Sequence, residues 1–82
     1  MKIVRISAIW CSSCIIMKSK FNEVIKDKDI TLIDLDYDMD DISNYNVGET
    51  LPVYIKFVED EEDSRLVGEH SKEEIRKFIG EI

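Results

Sequence analysis

The sequence has little positive charge, two cysteines, one histidine, one proline and no long apolar run, and each shortage removes a class of protein. Eleven Lys and Arg stand against eighteen Asp and Glu, a formal net charge of −7. Clustered cations are needed to neutralise phosphate, so no nucleic-acid partner is expected. No apolar stretch approaches the roughly 20 residues that span a bilayer. The N-terminal residues run into Trp10 without a signal-peptide cleavage pattern. The expected setting is therefore cytoplasmic, with no membrane partner. Two cysteines separated by two positions cross-link almost no chain, which excludes a disulfide framework of the secreted kind. A length of 82 residues allows one hydrophobic core but not two. A single domain over residues 1–82, acting as a monomer, is expected.

What is present is a folding composition, 44% hydrophobic and 35% charged. Lys2 to Ile9 is a short run with both faces partly apolar, as in a strand inside a sheet. A turn from Trp10 to Cys14 follows. Cys14, Met17, Phe21, Val24 and Ile25 then recur at helical spacing, and Ser12 or Ser13 is the expected cap. Ile30 to Leu35 reads as a second strand, which a strand-helix-strand unit pairs parallel to the first. Asp38 to Tyr45 reads as a short helix with acids in its first turn. Val53, Ile55 and Phe57 alternate with Tyr54, Lys56 and Val58, and Glu59 to Ser64 is a polar turn before Arg65-Leu66-Val67, giving an antiparallel hairpin. Gly68 breaks that strand. Ser71 and Glu74 form a capping box, and Ile75, Phe78, Ile79 and Ile82 lie on one face of a closing helix. The fold class is α/β, in the order βαβαββα.

Cys11-Ser12-Ser13-Cys14 at a strand-to-helix turn carries the chemistry. The spacing lets the two sulfurs meet, so the pair can cycle between dithiol and disulfide. Cys11, beside the helix N-terminus, is placed to be a stabilised thiolate and the nucleophile. Cys14, one turn on and facing inward, would resolve the mixed disulfide. The competing use of such a pair is half of a zinc or iron site, in a binding module whose metal is shared across a dimer. Only His70 and carboxylates could complete that site, so redox chemistry is favoured and no metal is expected. His70 has no evident partner in the sequence and reads as a surface residue. Asp36, Asp38, Asp40 and Asp41 lack the glycine and terminal glutamate of a calcium loop and read as a solvated acidic run. Trp10 reads as a shield for Cys11 and an apolar contact for substrate, against an alternative of core packing. Tyr37, Tyr45 and Tyr54 read as packing residues. No nucleotide loop is present and no organic cofactor is implied.

Trp10-Cys11-Ser12-Ser13-Cys14 resembles the Trp-Cys-x-x-Cys active site of thioredoxins. Leu51-Pro52-Val53 and the strand after it resemble that family's Ile-Pro-Thr segment and following strand, and Gly68 with Ser71-Lys72 and the amphipathic stretch Ile75 to Phe78 resembles its C-terminal end. The resemblance covers nearly the whole chain. It implies a thioredoxin-like fold with a central mixed four-stranded sheet flanked by helices. It also implies protein disulfides as substrates, and a reductase or a low-molecular-weight thiol as electron donor. By it, Pro52 is a cis-proline packed against the sulfurs, and Leu51 pairs through its backbone with an extended substrate. Three departures stand out. The first strand and helix of full thioredoxins have no counterpart, the usual Gly-Pro between the cysteines is Ser12-Ser13, and the family's buried acid corresponds to Arg5. Arg5 could lower the thiolate pKa if it points at the sulfurs; the favoured alternative is that it snorkels to solvent from an exposed strand face. Thr50-Leu51-Pro52 is also similar to the Thr-Val-Pro of glutaredoxins. The Cys-Pro-Tyr-Cys motif and Gly-Gly turn of that glutathione-dependent family are missing.

Overall fold

A computed structural model describes residues 1–80. Four strands, β1 (Lys2–Ser7), β2 (Thr31–Asp36), β3 (Val53–Val58) and β4 (Glu61–Val67), form one mixed sheet in the order β2-β1-β3-β4. β1 pairs parallel with β2 and antiparallel with β3, and β3 pairs antiparallel with β4. The apolar run of β1 is explained by this central place, which buries both of its faces. Helices α1 (Ser12–Ile25) and α2 (Lys72–Phe78) complete the fold. Among the described residues, no helix is long and apolar enough to cross a membrane.

The two faces of the sheet are covered differently. Ile3 and Tyr54 pack with Met17 and Phe21 of α1 and with Ile75 and Phe78 of α2. Phe21 and Tyr54 are fully buried, and their rings stack with centroids 4.2 Å apart. Burying one such side chain is worth about 1.5–3 kcal/mol. Val4, Ile6, Val53 and Ile55 form the opposite face, covered by Tyr37, Ile42, Tyr45 and Val47 from the β2–β3 connection. The Ser71–Glu74 capping box is present in full, with Glu74 N donating to Ser71 Oγ at 3.2 Å and Ser71 N to Glu74 Oε1 at 3.1 Å.

Several local expectations are corrected. Asp38 to Tyr45 is not a helix; only a 3₁₀ turn, Ser43–Tyr45, forms there. The cause is its aspartates. Asp36 Oδ2 accepts from the backbone N of Asp38 and Met39, Asp40 Oδ2 from that of Asp36, and Asp41 Oδ1 from that of Ser43. Such local bonds offer the backbone a turn in place of a helical ladder. The hairpin turn is Glu59-Asp60 alone, both at positive φ (53° and 66°), and residues 61–64 belong to β4. A bulge between Lys56 and Phe57 absorbs the register shift. β1 stops at Ser7 because the chain turns there, Cys11 N donating to Ala8 O at 3.2 Å. Ile79 is the C-cap of α2 rather than a helical residue, and Ile82 lies outside the described residues.

Candidate active site

Cys11 itself is the N-cap of α1, in place of Ser12 or Ser13. Its backbone is extended (φ −98°, ψ 107°) and its sulfur accepts the Cys14 N–H at 3.2 Å. A sulfur can cap because the first N–H groups of a helix have no intrahelical acceptor. Both cysteines are free thiols and both are buried, among Ala8, Leu51, Ile6 and Val53. Burial first, and then the hydrogen bond with Cys11, push the Cys14 thiol up to about 11. Ser12 is exposed and Ser13 half-buried, so neither fills the core beneath the sulfurs.

The surroundings divide into a buried floor and an exposed rim. Leu51 is buried in the same apolar cluster as the cysteines, Pro52 is fully buried, and the Leu51–Pro52 bond is cis. The Pro52 carbonyl accepts the Gly68 N–H at 2.8 Å. Gly68 adopts φ +85°, a conformation glycine accepts without strain, and that turn carries the chain out of β4. Trp10 is 61% exposed; its indole N–H donates to Asp38 Oδ2 at 2.6 Å and its ring meets Tyr37 edge-on at 6.2 Å. A pocket of about 510 Å³ opens behind Cys14, lined by Ile9, Ile15, Lys18, Asp34 and Asp40 among others. Among the described residues, no three His, Cys, Asp or Glu side chains converge as a metal site.

The sequence profile of thioredoxin matches residues 1–81. The chain belongs to the thioredoxin family. Two solved thioredoxins show the same fold. One is malaria parasite thioredoxin-2, described as a component of that parasite's protein secretion machinery, with TM-score 0.83 and 20% identity over 95% of this chain and 79% of that one. The other is the reduced Schistosoma mansoni thioredoxin pre-protein, with TM-score 0.82 and 24% identity over 95% of this chain and 74% of that one. A search of curated protein sequences returned no significant match. Membership carries thiol-disulfide oxidoreductase chemistry at the family level, and this chain holds the cysteine pair that such chemistry uses.

In this thioredoxin-family chain Arg5 does not snorkel from an exposed face. It is 2% exposed, with its Nε donating to Asp34 Oδ1 at 2.6 Å, Nη2 to Asp34 Oδ2 at 3.1 Å and Nη1 to Asn22 Oδ1 at 3.0 Å. Its guanidinium carbon lies 5.8 Å from the centroid of the Tyr54 ring. Burial works against the charge, but Asp34 and Tyr54 more than offset it and hold the guanidinium above its ordinary pKa. The pairing of Asp34 with Arg5 was not legible, whereas Tyr54 packs in the core as its place in the strand suggests. The signal for Asp34 lay in aligning Ile3-Val4-Arg5-Ile6 with Leu32-Ile33-Asp34-Leu35, which sets Arg5 against Asp34. His70 also has partners: Nδ1 lies 3.1 Å from Glu74 Oε2 and Nε2 lies 3.0 Å from the Val67 carbonyl. It joins the end of β4 to the start of α2.

Proposed function

We propose that the protein is a protein-disulfide reductase in which Cys11 attacks and Cys14 resolves. The observation that supports it is the Cys11 sulfur at the start of α1, accepting the Cys14 N–H at 3.2 Å. An N–H aimed at that sulfur stabilises the negative charge it carries as nucleophile and as leaving group. The Cys11 thiolate attacks one sulfur of the substrate disulfide, whose other sulfur leaves with the electron pair and takes a proton. Cys14 then loses its proton and attacks Cys11, forming the Cys11–Cys14 disulfide and releasing the second substrate thiol. The substrate gains two electrons and the protein dithiol loses them. Leu51 offers backbone to an extended substrate, Pro52 walls the sulfurs, and Trp10 adds an apolar contact at the rim. A reductase or a low-molecular-weight thiol returns the electrons, and the protein works as a monomer in the cytoplasm.

Titration in dithiothreitol redox buffers with thiol counting tests this activity. A reversible two-electron passage from two thiols to none, near the roughly −270 mV of a reducing thioredoxin, is the expected result. A potential near about −120 mV would make the protein an oxidant. The absence of any reversible transition would remove the reductase function. Incubation of Cys14→Ser with a disulfide substrate should trap a mixed disulfide on Cys11, and Cys11→Ser should trap none.

A further inference from the structure

Beside the cysteine pair the chain exposes apolar side chains that the fold does not cover. Ile9 is 90% exposed, Ile15 66% and Met39 86%. Ile9 and Ile15 border the pocket behind Cys14, and Met39 follows Asp38, whose carboxylate holds the Trp10 indole. Single exposed apolar residues are ordinary, but several around one cavity mark a contact surface. The cavity itself is two-sided in chemistry. The isoleucines and Leu35 give it apolar walls, while Asp34, Asp36 and Asp40 bring carboxylates to it. Asp34 is neutralised by Arg5. Asp36 and Asp40 are not, since the hydrogen bonds they accept come from backbone N–H groups. Among the described residues no Lys, Arg or His forms an ion pair with Asp36, Asp40 or Asp38 at the rim. Lys18 is the single cation among the lining residues. Three carboxylates against one ammonium leave two negative charges unanswered beside the cysteines.

Charge and shape together select the occupant. A second copy of this chain would bring the same acids to the same place, and its net charge of −7 opposes the approach. Apolar walls leading to free carboxylates match one kind of side chain, a long apolar stem that ends in a cation. We propose that this groove seats a Lys or Arg side chain of the substrate polypeptide, so that the protein reduces disulfides flanked by basic residues in preference to those flanked by acidic ones. This assignment rests on the reductase activity proposed above and names its substrate class. The stem lies along Ile9, Ile15 and Leu35, and the cationic head meets Asp36 and Asp40. Cys14 lines the same pocket, and its N–H lies 3.2 Å from the Cys11 sulfur, so a residue seated there brings a neighbouring cysteine to the pair. Complementary charge acts mainly on encounter and on the rejection of wrong partners, so the preference is carried by kcat/KM.

Two disulfide-bonded peptides, identical except for Lys or Glu beside each cysteine, test the preference. At about 0.01 M salt, where charges are screened over about 30 Å, the Lys peptide should be reduced with a kcat/KM about tenfold higher. At about 1 M salt, where that length is about 3 Å, the ratio should fall to about two. The double variant Asp36→Asn with Asp40→Asn keeps an oxygen to accept the local backbone N–H groups and should lose the preference at low salt. Asp60→Asn with Glu61→Gln removes the same charge at the β3–β4 turn, at the other end of the sheet from Ser7, and should keep it. Equal rates for the two peptides in the parent, or a preference that survives Asp36→Asn with Asp40→Asn, would overturn the assignment. Self-association of the parent that Ile9→Ser with Ile15→Ser abolishes would also overturn it, by making a second copy the occupant. The same peptides with serine in place of cysteine give a readout independent of turnover, the fluorescence of Trp10, which is the chain's one tryptophan. The Lys form should bind about tenfold more tightly than the Glu form at low salt. If neither disulfide peptide is reduced and no reversible Cys11–Cys14 disulfide forms, the reductase function fails, while the fluorescence titration still decides whether the groove takes a cationic side chain.

Discussion

Replacing Asp34 by Asn should cost this small fold far more than the loss of a surface ion pair. Arg5 is 2% exposed and the Asp34 side chain 52%, so the pair is buried at one end and solvated at the other. Removing one partner of a fully buried pair costs about 3–5 kcal/mol, and of an exposed pair about 0–1 kcal/mol. Arg5 keeps its bond to Asn22 and its place near the Tyr54 ring, a cation–π contact worth about 0.5–2 kcal/mol. Solvent at the carboxylate and these remaining partners bring the expected loss to about 2 kcal/mol. For a domain of this size that lowers the melting temperature by about 8–16 °C. Urea unfolding followed by far-ultraviolet circular dichroism measures it, with an unchanged slope confirming that the loss is one of stability. Arg5→Met and the double variant close the cycle. The double variant should lose less than the sum of the two singles, by about 1–2 kcal/mol, because it leaves no charge stranded in the core. A loss under about 0.5 kcal/mol for Asp34→Asn would show that Arg5 does not depend on this carboxylate.

Two pH effects follow from the shifted groups. The Cys14 thiol, raised to about 11 in the fold against about 8.5 in an unfolded chain, is neutral in both states below about pH 8.5. Stability should fall as pH rises from there toward 11, because the unfolded chain ionises first, and Cys14→Ala should unfold with a shallower alkaline decline in urea midpoint. Glu74 is held down to about 2, first by the Ser71 backbone N–H and then by His70 and the Ser71 hydroxyl. Its unfolded value is about 4.3, so its contribution is present above that pH and lost as pH falls toward about 2. Glu74→Gln should melt below the parent at pH 6, and the two melting curves should converge at pH 2.

What the chain encodes locally was readable without coordinates. The 3.6-residue period of α1, the alternation of β3, the Ser71–Glu74 box and the Cys-x-x-Cys pair at a strand-to-helix turn each need only neighbouring residues, and each appears in the structure. Where two local signals competed, the balance was not readable. Acids at the start of a helix and acids that close turns look alike in sequence, and in residues 36–43 the turns won through four side-chain-to-backbone bonds. The cap of α1 was misplaced for a related reason, since serine is the commoner cap and only the path of the backbone into the helix puts the Cys11 sulfur over the Cys14 N–H.

The tertiary structure alone decided the surroundings of the cysteines. An arginine within an apolar strand is consistent with an exposed face or a paired interior. Only the register of β1 against β2 and β3 sets Asp34 on one side of Arg5 and Tyr54 on the other. Alternation puts Tyr54 and Phe57 on opposite faces of β3, but only the tertiary structure decides that the first lies beneath the helices and the second against the β2–β3 connection. Sequence determined which residues could be chemical, because thiols at that spacing have few other uses. Pairing between strands distant in the chain determined which charges and dipoles those thiols meet, because cross-strand contact depends on register and not on proximity in sequence.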